Sequence, residues 1–426
     1  MRDVSPTPTL AFAALALLLL ALTLAWHIPM MLWDHLDLVP IYDAWRSGTL
    51  RDSGFLSIHG GHLHTAAYVL LLATTRLSGG ETWLDCLVSW ALLVAFAAVV
   101  AWMSRSWWHD ASRISRVLAL LVALLALHPG HLANLQWGWQ VAVFLCLAGV
   151  AVTILCLTRE TLAPWQVAVA VMATAIALLS FATSIALLPT ALVLLALRHE
   201  QPVWRRLAYG LPWLAGGVLL ALDYRRPEGT GIAGHAGTVV AYALNFLGAG
   251  IARFATDLAP WLALGGLVTG AWAFAVARRR REALAWLGFL LFGGCAALAV
   301  AAGRAAPFGS EHAFVTRYVS FSLLFWIGWA GLVATAWREA DTMPRAIRAS
   351  VWLVVLLSVA NALHMSRKAE RLAERTQAIA DTVRATWPAV DATLLGEIYF
   401  DQPAVARERL ERLHALGFAP FGAVGD

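Results

Sequence analysis

Long apolar runs separated by short polar punctuation recur along the chain, at 10–32, 83–103, 117–128, 138–157, 165–180, 185–197, 207–222, 258–277, 283–303, 314–336 and 350–363. Roughly twenty apolar residues in a helix cross a bilayer, so each run reads as a membrane span, the shorter ones with ends set by flanking polar residues. The expected fold is all-α, a polytopic integral membrane protein with about 11 transmembrane helices. Two stretches depart from this pattern. Residues 33–82 are polar enough to form a first outer loop, helical in part, and residues 366–426 alternate apolar and charged positions at helical spacing. The latter predicts a small soluble helical tail, giving a transmembrane domain over 1–365 and an appendage over 366–426.

Composition agrees: 60% of the 426 residues are hydrophobic and 13% charged, with a mean hydropathy of +0.69. The first run is too long for a secretory h-region and has no small-residue cleavage site, so it is expected to stay as an anchor. Cys86, Cys146, Cys156 and Cys295 lie in or beside apolar runs, which suits packing residues better than a disulfide framework. The net charge of +5 implies no nucleic acid, and its distribution orients the chain. With the N-terminus in the cytoplasm, fifteen arginines face inward, eight basic residues fall in outer loops and eight in a tail on the outer side. The run at 64–77 would upset this count if it crossed. At about fourteen residues, it reads as a helix lying on the outer surface.

Under this topology Asp34, His35, Asp37, His59, His62, His64, His131, Asn134, Gln136, Glu311 and His312 all gather at the outer ends of helices. The inner loops are ordinary arginine-rich punctuation. Alternatives stay open for each outer group. Asp34 and Asp37 are reactive carboxylates or solvated helix-exit residues; Asp43 and Asp52 read as solvated. The "HGGHLH" turn offers substrate contacts, three nitrogen ligands for zinc, or plain loop histidines. Its spacing fits no regular closed site, so no metal is assigned. Trp137 and Trp139 are interfacial anchors or sugar-stacking rings. Arg304 and Arg317, near the ends of the ninth and tenth runs, are phosphate ligands or snorkelling anchors. The outer stretch 223–257, glycine-rich at its start, is expected to cover the site as a lid.

The first loop resembles that of the C-type glycosyltransferase superfamily of polytopic membrane enzymes. Asp34 and Asp37 stand where that family places an acidic residue after its first helix, "YDAWRSG" (42–48) is similar to its first surface helix, and "HGGHLHTAAYVLLLATTRLSGG" (59–80) to its histidine turn and second surface helix. The spacing Asp34-His-Leu-Asp37 and the "HGGH" turn depart from the usual acidic pair and histidine-proline. The likeness covers residues 10–103 by motif and the rest by hydropathy alone. "LQWGWQ" (135–140) and "TRYVSFS" (316–322) also resemble segments of bacterial membrane proteins of this architecture.

The resemblance implies an enzyme of the bacterial inner membrane, its tail in the periplasm, that moves a sugar from a polyprenyl-phosphate donor to a lipid, glycan or protein acceptor. It implies Asp37, or Asp34, as the catalytic base, and substrate contacts from His59, His62, His64, Trp137, Gln140, Arg304, Arg317 and Tyr318. No firm cofactor follows beyond the lipid-linked donor. The sequence has no Walker or Rossmann glycine pattern, in keeping with that donor in place of a nucleotide. A polytopic transporter would carry midplane charges and internal repeats, neither of which is evident here. An O-antigen polymerase or ligase-like transferase would carry a long late outer loop, which is missing.

The topology predicts that an export-dependent reporter fused after Gly61, Gly234, Gly309 or Gly417 is active, and after Arg113, Arg206, Arg280 or Arg345 inactive. Activity after both Gly61 and Ser106 would add a crossing at 64–77.

Overall fold

The computed structural model describes residues 7–59, 62–108, 112–223, 234–340 and 343–422. It is helical almost throughout. After α1 (Thr7–Ala25) a 3₁₀ turn at Trp33–Asp37 leads into α2 (Leu38–Ser47), which ends on Gly48 in the left-handed region. A two-residue antiparallel ladder, His59 opposite His62, precedes α3 (Thr65–Ser78) and the long α4 (Trp83–Trp108). Then come α5 (Arg113–Ala126), the single turn α6 (Leu132–Leu135), α7 (Val141–Leu157), α8 (Pro164–Leu178), α9 (Leu187–Ala196) and α10 (Val203–Asp223). The second half holds α11 (Ala236–Ala252), α12 (Ala259–Ala277), α13 (Arg281–Phe308), α14 (Val319–Trp337), α15 (Arg345–Thr386), α16 (Ala392–Ile398) and α17 (Pro403–Leu416).

Among the described residues seven helical segments are long and apolar enough to cross a membrane, and four shorter apolar helices accompany them. The expected runs at 10–32, 165–180 and 185–197 are among these shorter helices, and α10 carries Arg205 and Arg206 in its first turn. Contacts between loops sort the two ends of the bundle. At one end Arg198 donates to the carbonyls of Leu157 and Arg159, Arg338 pairs with Glu282, and Arg280 pairs with Glu339. The first loop occupies the other end. Helix α3 stays there along its whole length, since Ala66 N–H bonds the Leu179 carbonyl near its start and Thr74 bonds Asp85 near its finish.

Of the stretch 223–257, expected as a lid, the part over 236–252 is packed into the bundle instead. Residues 224–233 lie outside the described residues, and 236–252 fold into α11, whose Tyr242, Phe246 and Ile251 are fully buried among α12, α13 and α14. Gly248 and Gly250 explain the packing, because small residues let helix backbones approach closely. The boundary at 365–366 falls inside α15, which runs unbroken from the bundle into the tail. Helix α14 is the axis of the bundle, buried from Val319 to Ala336 and apolar on every face.

On α14, a methyl carbon added at Gly328 would lie 2.3 Å from the Leu290 backbone nitrogen, with no side chain to swing aside. Gly328→Ala is therefore expected to destabilise by about 1–3 kcal/mol, the usual scale of core overpacking. Gly265→Ala, which meets nothing within 4 Å, should leave the thermal midpoint in detergent unchanged.

Candidate functional site

Asp34 and Asp37 ride on the 3₁₀ turn between α1 and α2, and the two residues between them, His35 and Leu36, are buried. His35 is wholly buried, with Nε2 3.7 Å from Oδ2 of Asp85 in the first turn of α4. Burial holds its imidazole far below the usual histidine range, at about 3, so the ring is neutral and this is a polar contact, not a pair of full charges. Asp85 accepts a hydrogen bond from the Thr74 hydroxyl of α3. Gly138 closes the nest: a Cβ there would lie 2.6 Å from Asp85 Cβ and 3.0 Å from His35 Cε1, so only glycine fits. Three elements thus meet behind the carboxylate turn.

Gly138 belongs to a strap at 128–140 that crosses the first-loop end. His128 Nε2 donates to the Ser358 carbonyl at 2.9 Å while its Nδ1 accepts from Gly130 N–H, which fixes the tautomer. Asn134 Nδ2 donates to the Arg317 carbonyl and to Ser320 Oγ, and the Gln136 carbonyl accepts Ile28 N–H. Trp137 meets Trp33 edge to face at 5.3 Å. Trp139, only 4% exposed, stacks on His64 at 4.5 Å and touches Tyr68, so it is a buried platform and not the interfacial anchor expected from sequence. Gln140 is buried too. Its Oε1, both side-chain polar atoms of Gln136 and the Trp137 indole nitrogen find no hydrogen-bond partner among the described residues.

In front of the strap the carboxylates face phenols. Burial, then Asp37 and Asp34, push the Tyr68 hydroxyl well above its usual range. From the tail, Tyr399 donates to Asp37 Oδ1 at 2.7 Å, and its hydroxyl is likewise pushed up, by burial first and then by Asp37. Trp33 Nε1 donates to the Glu397 carbonyl, Arg412 forks onto Asp43 with two bonds of 2.6 Å, and Phe418 packs on Tyr42. The non-glycine residues with positive φ among those described are Trp33 (54°), Phe400 (41°) and Asp401 (57°), and all three sit at this junction.

A second polar group surrounds His312. Tyr242 O–H and His312 Nδ1 are 3.0 Å apart, Phe308 stacks on the imidazole at 4.7 Å, and Tyr318 lies edge-on at 6.0 Å. Burial first, then Arg317 and Arg304, lower the His312 pKa. Neither arginine makes an ion pair among the described residues; Arg304 lies over Phe308 and Arg317 over Tyr318. Two half-buried guanidiniums converge without a carboxylate, an arrangement suited to an anion.

Of the residues singled out from sequence, Asp34, Asp37, His64 and Trp137 come together around the carboxylate turn, and Arg304, Arg317 and Tyr318 around His312. Asn134 joins the two groups through the Arg317 carbonyl. His59 and His62 pair in the short ladder, and their side chains lie outside the described residues. Sequence reading passed over Asp85, Thr74, Tyr68, Tyr242 and Tyr399. Asp85 carried a signal, a lone carboxylate inside an apolar run; Tyr399 carried none. An open hollow of about 450 Å³ between α2 and α17 holds Asp43 and Arg412, whose charges already neutralise each other, so we place no chemistry there. Comparison with protein-family models, characterised proteins and solved structures returns no match to this chain.

An unfolded His35 takes up a proton near pH 6.5, the folded one only near pH 3. Its contribution to stability is complete above pH 6.5 and falls as pH drops through that window, by at most about 1.4 kcal/mol per pH unit. His35→Gln should flatten the decline of the thermal midpoint between about pH 6.5 and 4.5. Parallel declines in the two proteins would mean that His35 is charged in the fold.

Proposed function

We propose that the chain is a membrane transferase of the C-type glycosyltransferase kind, moving a sugar from a polyprenyl-phosphate donor to an acceptor at the first-loop face. The observation that carries this reading is the couple Arg304 and Arg317, without an ion pair among the described residues and tied by the strap to a turn bearing Asp34 and Asp37. Acceptor oxygen attacks the anomeric carbon, its proton passes to Asp37 or Asp34, and the bond from that carbon to the phosphate oxygen breaks. The phosphate leaves with the electron pair and is stabilised by the two guanidiniums. Tyr399 and Tyr68 orient the carboxylates, and Trp139, buried under His64, backs Tyr68. Eleven crossings, an N-terminus in the cytoplasm and a site on the periplasmic side of a bacterial inner membrane complete the reading.

Asp85 lends some support to a transporter, since buried ionisable groups in spans often mark ion paths. It sits in the first turn of α4, however, at the first-loop end and not at the midplane.

Purified protein with a panel of labelled polyprenyl-phosphate sugars and a crude envelope acceptor extract tests the reading. Asp37→Asn, or Asp34→Asn if that residue is the base, should cut turnover by roughly 10²-fold or more while donor binding is kept. Arg317→Lys should weaken donor binding because the bidentate fork is lost although the charge remains. No label transfer from any donor, together with solute uptake into vesicles that depends on Asp34 or Asp37, would replace the transferase with a transporter.

A further inference from the structure

Three cations and a histidine gather where α15 leaves the bundle and α11 turns into α12. Arg253 follows α11 directly; its backbone N–H donates to Asn361 Oδ1 at 3.1 Å, and Asn361 Nδ2 donates to the Gly250 carbonyl at 2.9 Å. The turn is thereby pinned to α15. One turn beyond Asn361 that helix presents His364, then Lys368 and Arg371 at spacings of four and three, which place them on one face. Lys368, Arg253 and Arg371 all act electrostatically on His364, and Arg253 and Arg371 on Lys368.

Among the described residues nothing of opposite sign pairs with them. None of the four makes an ion pair among the described residues, and Asp257, Glu370 and Glu374, the nearest acids in sequence, are exposed. Two donor-capable atoms, Arg253 Nε and His364 Nε2, are buried without any hydrogen-bond partner. Like charges drawn together and partly desolvated cost free energy unless an anion sits among them. Beside the cluster Phe254 (41%), Leu258 (55%) and Leu363 (62%) are exposed apolar side chains.

We infer that Arg253, His364, Lys368 and Arg371 form a binding site for a phosphate group, separate from Arg304 and Arg317. The two sets act on different histidines, His364 here and His312 there. A phosphate with hydrocarbon attached fits best, since its ester oxygens meet the cations and its chain meets Phe254, Leu258 and Leu363. The inference stands whether or not the chain is a transferase.

Full-length protein in nanodiscs of phosphatidylcholine with a minor share of fluorescent phosphatidylglycerol tests it by energy transfer from the protein's tryptophans. Wild type should enrich phosphatidylglycerol over a fluorescent phosphatidylcholine control, and Arg253→Ala or Lys368→Ala should each lower the enrichment by about tenfold, the scale of one charge-assisted hydrogen bond. Arg371→Ala, at an exposed position, repeats the test without touching the core. Release of the lipid by millimolar inorganic phosphate would assign the site to soluble phosphate, and retention to a lipid headgroup; both uphold a phosphate site. Equal binding of the two lipids by wild type, or all three alanine variants within about twofold of it, overturns the inference.

Discussion

Burial of His35 against Asp85 is the constraint from which the arrangement of the first-loop end follows. The neutral imidazole has no solvent access and leans on Asp85 at 3.7 Å, and Thr74 holds Asp85 in place by donating to its other oxygen. That pair of contacts brings α3 down onto the head of α4 and admits only glycine at 138. With the ring fixed, the residues on either side of it have no freedom of their own. Asp34 and Asp37 are displayed together because the two buried residues between them, His35 and Leu36, hold the turn in place.

Strain is concentrated at the same place. Left-handed backbone costs a non-glycine residue on the order of 1 kcal/mol or more and survives only where neighbours over-determine it. Trp33 is held by the Glu397 carbonyl and the edge of Trp137, while the turn through Phe400 and Asp401 is closed by Asp401 N–H on the Gly396 carbonyl. The two strained segments meet across more than 360 residues of sequence, where Tyr399 reaches Asp37. The tail is therefore part of the carboxylate site.

How much of this was legible depended on whether the signal was local. Apolar runs predicted α4, α7, α12, α13 and α14 because a span announces itself by length and composition. That α3 stays at the first-loop end and does not run through the bundle is in keeping with its short length. The burial of α11 did not, since an Ala- and Gly-rich stretch reads as weakly structured until a neighbour is available to pack on it. Trp139 was misplaced for a related reason: tryptophan near a span end is the mark of an interface, and only the fold reveals that His64 covers its face. Tyr399 could not have been found at all, because nothing in "GEIYFDQP" refers to Asp37. Arg304 and Arg317 stood out in the sequence as basic residues near the ends of two apolar runs, but that both act on His312 and Tyr242 needed coordinates.

The continuity of α15 has a mechanical consequence. Its 42 residues make a rod about 63 Å long, at 1.5 Å per residue, with no proline or glycine to bend it. One end lies in the bundle and the other carries α16 and Tyr399. Tilting such a rod by about 5° about its foot displaces its far end by about 5 Å, more than the length of a hydrogen bond. Helix tilt answers to bilayer thickness. The contact between Tyr399 and Asp37 therefore depends on the far end of α15 keeping its place, which Trp33 on the Glu397 carbonyl and Arg412 on Asp43 help to fix.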